Sequence, residues 1–140
     1  MLFRSALPDG EYRSEITNNP LGQVMRYPVA LRIDGETMTI DFDGAPPQLP
    51  QGGLNSTLNY TAAHATYPLK CMLTPGVRGN AGCYRPFTVL APEGSILNCT
   101  RPMAVNLRTR TGWYIAPNID RKSTRLNSSL SSVSRMPSSA

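Results

Sequence analysis

Between Val29 and Phe42, apolar side chains fall at every second position on both sides of an Asp34-Gly35 step. Val29, Leu31 and Ile33 alternate with Ala30 and Arg32, and Met38, Ile40 and Phe42 alternate with Thr37, Thr39 and Asp41. A period of two puts all the apolar residues on one face, and Asp-Gly between such runs supplies a two-residue turn whose positions need positive φ. The pattern predicts a β-hairpin with one apolar face. Its other face carries Arg32, Thr37, Thr39, Asp41 and Asp43.

The neighbouring segments predict what pairs with this hairpin and what covers it. Glu11 to Asn18 alternates weakly, Tyr12, Ser14 and Ile16 against Arg13, Glu15 and Thr17, and reads as a short strand ended by the Asn18-Asn19-Pro20-Leu21-Gly22 loop. Residues 44–53 (GAPPQLPQGG) are too rich in proline and glycine for a regular element. Asn55, Ser56 or Thr57 then caps a helix in which Leu58, Ala62, Ala65, Leu69 and Met72 form one stripe and Tyr60, His64, Tyr67 and Cys71 a second. A helix apolar on two sides is expected to lie between layers, which an isolated fragment could not fully cover, with a kink from Pro68 and an end at Thr74-Pro75-Gly76.

After it, Asn80-Ala81-Gly82 reads as a tight corner needing φ > 0, and Pro86 to Leu90 as a strand. Ala91 to Gly94 is expected to turn, Ile96-Leu97 and Met103 to Leu107 to form short strands, and Arg108 to Tyr114 to lead into a helix. The fold class expected is α+β: antiparallel β-hairpins packed on one buried helix, a fragment of a larger mixed α/β subunit.

The net charge of +5 would ordinarily suggest nucleic acid or an acidic membrane as partner. Residues 120–129 (DRKSTRLNSS) and 134–140 (SRMPSSA), however, resemble translations of the two constant parts of a common short-read sequencing adapter, separated by the gap its variable index would fill. We therefore divide the chain into a body, 1–119, and a non-native tail, 120–140, expected to be disordered. Without the tail, ten basic and eight acidic residues remain and the net charge falls to +2. The case for nucleic acid or a membrane goes with it, and no run approaches the roughly 20 apolar residues that cross a bilayer.

Cys71, Cys83 and Cys99 are odd in number and include no CxxC pair, and His64 is the only histidine, which argues against a disulfide framework and a zinc site. Three Asn-x-Ser/Thr sequons (Asn55, Asn59, Asn98) are read as chance, since nothing at the start resembles a signal peptide. Four residues are candidates for chemistry. Cys83 beside Arg85 has the makings of a thiolate nucleophile, or is a small buried cysteine under the Gly82 corner with Arg85 tying a loop to a carboxylate. Asp41, with Asp43 two residues on, suits a metal or acid/base pair, or is a solvated strand face. His64 suits a base, or a core histidine bonded to a tyrosine hydroxyl.

The run from Asn80 to Gly94, with Asp41-Phe42-Asp43-Gly44 and Pro47-Gln48 before it and Ile96-Leu97-Asn98 and Pro102-Met103-Ala104-Val105 after it, resembles the hydantoinase B/oxoprolinase family over residues 7–119. The resemblance implies an interior fragment of a cytoplasmic subunit, inactive by itself. The parent would take part in ATP-dependent opening of a cyclic amide, a hydantoin or 5-oxoproline. It further implies a hydantoinase A-type partner subunit that binds ATP. A divalent metal in the parent would be held by a Gly-Thr-His-x-x-Asp-like segment that this chain lacks, so no metal or cofactor residue carries over. Residues 106–114 (NLRTRTGWY) are similar to the acetone and acetophenone carboxylase members, which leaves ketone carboxylation as the alternative. A purely structural or interface role is the third reading.

Overall fold

A computed structural model of the chain describes residues 9–119; the expectations for the tail lie outside the described residues. Four strands form one sheet in sequence order: β1 (Gly10–Asn18), β2 (Met25–Asp34), β3 (Thr37–Asp41) and β4 (Phe87–Leu90). The first three pair antiparallel, and β4 joins β3 in parallel, Met38 opposite Phe87 and Asp41 opposite Leu90. Between β3 and β4 the chain makes helix α1 (Leu58–Leu73) and the single turn α2 (Ala81–Tyr84). Residues 108–119 form a third helix, α3. The class is α+β, and the parallel edge strand is its one departure from antiparallel hairpins.

The alternation in the sequence is the core. Val29, Leu31, Ile33, Met38, Ile40 and Phe42 are all buried, and α1 contributes Ala65 and Leu69 to the same cluster. Leu54, Ile96 and Leu97 enter from loops, and Ile115 and Ile119 from α3. A buried bond from Asn118 Nδ2 to the Tyr27 carbonyl (2.7 Å) ties α3 to β2. Burial on the sheet's apolar face is the largest stabilising term available to a body this small.

Several local expectations are corrected. The hairpin loop is Gly35-Glu36, because Asp34 still pairs with Thr37; only Gly35 has positive φ (+60°), as in a type II′ turn, so glycine is needed at the first loop position alone. The Asn80 corner needs no left-handed backbone. Asn80 is extended (φ −150°) and caps α2, its side chain accepting from the Cys83 N–H, so the asparagine acts here through its side-chain oxygen. At the start of α1, Thr57 of the three expected candidates takes the cap position, without a side-chain bond, while Asn55 and Ser56 are buried. Residues 96–97 and 103–107 are turns and irregular chain; their buried groups bond across loops instead of along a ladder. The second stripe of α1 is not enclosed: Tyr67 and Cys71 are exposed among the described residues.

Candidate functional site

Asp41 ends β3, and its carboxylate is already engaged. Oδ2 accepts from Arg32 Nη2 (2.8 Å) and Oδ1 from the Asp43 N–H (3.0 Å), while Arg32 Nε reaches Glu11 Oε2 (3.1 Å). Arg32 and then Arg13 hold the Glu11 carboxyl below the usual carboxylate range, and Asp41 followed by Glu11 pushes the Arg32 guanidinium up. The chain of charges spans three strands on the sheet's polar face. Asp41 and Asp43 also line a cavity of about 350 Å³ at the carboxyl ends of the parallel pair, with Leu58, Leu90 and Pro92.

Cys83 and Arg85 sit at the other end of that pair, where α2 leads into β4 and Met38 N–H bonds the Pro86 carbonyl. The three residue steps from Met38 to Asp41 separate the two ends by about 10 Å. Cys83 Sγ donates to the Arg78 carbonyl (3.3 Å), a local bond within the loop that α2 closes. The thiol is half-buried and Arg85 is exposed.

His64 lies on α1 and meets Tyr60 ring to ring, 4.4 Å between centroids, instead of through a hydroxyl. The Arg108 guanidinium lies over the same Tyr60 ring at 5.3 Å, and α3 passes so close at Gly112 that a Cβ there would come within 3.1 Å of the His64 ring. His64 also lines an open groove of about 1140 Å³ between α1, α2 and β4, into which Tyr67, Cys71, Tyr84 and Val89 face. Tyr84 reaches this groove; Cys83 does not. The structure thus places Asp41, the Cys83-Arg85 pair and His64 in three separate surroundings and joins none of them as nucleophile and base.

A side-chain cluster that the sequence did not flag organises the loops beside these surroundings. Asn55, fully buried, accepts from the Leu49 N–H (2.7 Å) and donates to the carbonyls of Leu49 (2.8 Å) and Ala104 (3.0 Å). Gln48 accepts from the Thr100 N–H (2.9 Å), and Thr61 donates to the Leu97 carbonyl (2.6 Å). In the sequence Asn55 showed only as a sequon and a possible helix cap, and a folded chain cannot offer that amide to a glycosyl donor. Among the described residues no group of three or more His, Cys, Asp or Glu is placed to hold a metal ion.

The family model for hydantoinase B/oxoprolinase matches residues 2–119. The chain belongs to the hydantoinase B/oxoprolinase family. It is 29% identical over 126 residues to a protein of Pseudomonas sp. (strain NS671) named as the B subunit of a D-/L-hydantoinase, covering 81% of this chain and 21% of that protein. It is 32% identical over 77 residues to the 5-oxoprolinase of Saccharomyces cerevisiae (strain ATCC 204508 / S288c), covering 55% of this chain and 6% of that one.

Two solved structures share the fold. An ATP-dependent caprolactamase from Pseudomonas jessenii superposes with a TM-score of 0.69 at 19% identity, over 86% of this chain and 22% of its own. The nucleotide-free structure of an acetone carboxylase gives 0.67 at 15% identity, over 88% of this chain and 19% of its own. The chain therefore spans about a fifth or less of the length of these relatives. The described residues supply one four-stranded sheet, α1 and the loops laced by Asn55. No helix among them is long and apolar enough to cross a membrane.

Proposed function

We propose that the chain is an interior part of a cytoplasmic hydantoinase B/oxoprolinase-type subunit whose complex opens a cyclic amide in an ATP-dependent reaction. The observation that carries this is the set of proteins it matches. Hydantoinase, 5-oxoprolinase and caprolactamase are three names for opening a ring at an amide bond. Ring opening of an unactivated amide needs its carbonyl made more electrophilic, and phosphorylation of the carbonyl oxygen by a partner subunit would do that. A hydantoinase A-type ATP-binding subunit would supply that phosphoryl group. The chain's own contribution is architectural, since Cys83, Asp41 and His64 lie apart and Asp41 is held by Arg32.

Ketone carboxylation is the second reading, favoured by the shared fold with the acetone carboxylase. The test is to express the full-length subunit with its ATP-binding partner and to follow ATP hydrolysis with hydantoin, 5-oxoproline or caprolactam, and separately with acetone and bicarbonate. ATP hydrolysis coupled to ring opening supports the proposal. Turnover with acetone and bicarbonate alone replaces it with the carboxylase reading. The isolated chain is expected to turn over none of them, and robust activity from it would overturn the architectural assignment.

A further inference from the structure

Helix α1 has one charged side chain, Lys70, in sixteen residues. Its inner face, Thr61, Ala65 and Leu69, is buried on the sheet, yet the opposite side carries Tyr67, 63% exposed, and Cys71, also exposed. A helix face meant for water is normally charged, and the face of α1 around Tyr67 and Cys71 carries no charge. The groove along this face makes the same point from composition: of the fourteen residues that line it, none is Asp, Glu, Lys or Arg. Depletion of charge marks a protein core or the buried centre of an interface.

The dimensions limit what can fill it. A whole subunit face engages roughly 20–30 residues a side, whereas this groove is lined by fourteen, ten of them on α1 with Tyr84 of α2, Phe87 and Val89 of β4 and Ala116 of α3 at its edges, which matches a single secondary-structure element. The relatives of known structure extend this fold within chains about five times as long, so the polypeptide to supply such an element exists in proteins of this family. We propose that the groove between α1, α2 and β4 is an internal docking face, filled by an apolar helix or strand from another part of the same hydantoinase B-type subunit. This rests on the reading of the chain as part of a longer subunit, and it excludes both the ATP-binding partner and the substrate as occupants.

Cys71 is a reporter inside the groove, and peptide mapping by mass spectrometry reads its alkylation by iodoacetamide apart from Cys83 and Cys99. In the chain alone, Cys71 should react at the rate of an open thiol. In the full-length subunit without partner or substrate, it should react at least about tenfold more slowly, the mark of a site opened only by local unfolding. Slow reaction in the chain alone would overturn the proposal, because residues outside 9–119 of this chain would then fill the groove. So would fast reaction in the full-length subunit, whether or not added ATP-binding subunit or a cyclic amide then slowed it. As a second variant, Ala62→Glu should lower the full-length subunit's melting temperature while leaving that of the chain nearly unchanged; equal shifts in both would also overturn it. Failure of ring-opening activity leaves these readouts intact, so the two proposals fall separately.

Discussion

The side-chain amide of Asn55 pairs with the backbone of Leu49 as a neighbouring strand would, accepting from its N–H at 2.7 Å and donating to its carbonyl at 2.8 Å. A third bond to the Ala104 carbonyl joins two loops about fifty residues apart in sequence. Asn55→Ala would leave one donor and two acceptors of the backbone without that partner in part-buried surroundings, at a cost of about 2 kcal/mol. Asn55→Asp should be no better, since it loses both donated bonds and buries a charge. Urea unfolding of the chain measures both; a loss under about 1 kcal/mol for Asn55→Ala would show that water replaces the amide.

Gly53 has φ +63°, and a Cβ built on it would collide with Asn106 Oδ1. Two separable costs follow: about 1 kcal/mol for the left-handed backbone, and a steric cost from moving Asn106. Gly53→Ala should therefore destabilise the chain by more than about 1 kcal/mol, and Asn106→Ala in the same chain should restore only the steric part. Full rescue in a double-mutant cycle would show that the backbone cost is absent at this position.

Burial raises the Tyr27 phenol above its usual pKa of 10.0, against a smaller opposing effect of the Asn18 side chain, and its ring stacks on Tyr114 at 6.2 Å. A pKa raised by folding means that the folded state holds the proton more tightly. The resulting stability is complete below the unfolded pKa and is lost as pH rises through the folded one. Stability should be flat toward pH 10 and then fall, and Tyr27→Phe should flatten the fall. An unchanged alkaline limb in Tyr27→Phe would place the ionising group elsewhere.

Glu11 has the opposite sign. Its carboxyl is held low by Arg32 and Arg13, so its contribution is present above the unfolded pKa and fades as pH drops through the folded one. Because the group is exposed, the effect should be small and should shrink with added salt. Comparing the acid limb of Glu11→Gln with the parent sequence at low and high salt tests this. A salt-independent acid limb carried by Glu11 would contradict it.

Asn80 caps α2 through its side chain, and Cys83 Sγ bonds the Arg78 carbonyl. Asn80→Ala should cost about 1 kcal/mol, and Cys83→Ser should be mild because a hydroxyl can donate to the same carbonyl. Gly82→Ala carries no left-handed backbone penalty, since Gly82 has no positive φ, but its new Cβ would meet the capping Asn80 side-chain oxygen at 3.0 Å, so it is expected to cost no more than loss of the cap, about 1 kcal/mol. In the full-length complex, a Cys83→Ser variant that folds normally yet loses several orders of magnitude in turnover would make Cys83 a catalytic residue after all.

The hairpin and the apolar face of α1 were legible from sequence because their information is local: alternation about Gly35 and a 3.6-residue stripe at Ala65 and Leu69 each define a face without reference to anything distant. The family, too, was readable from the run Asn80–Gly94 and its flanking segments. What the chain order could not show was how those faces meet. That β4 joins β3 in parallel, that Asn55 leaves the helix cap to lace residues 49 and 104, and that Ile96-Leu97 pack as a turn depend on contacts between segments far apart. The candidate site followed the same division. Cys83, Arg85, Asp41 and His64 were visible as residue types, but the length of one short strand pair sets Asp41 apart from Cys83, and the charges of Arg32 and Glu11 engage Asp41 from neighbouring strands. Distances between elements are decided by packing the apolar faces together, and only the tertiary structure carries them.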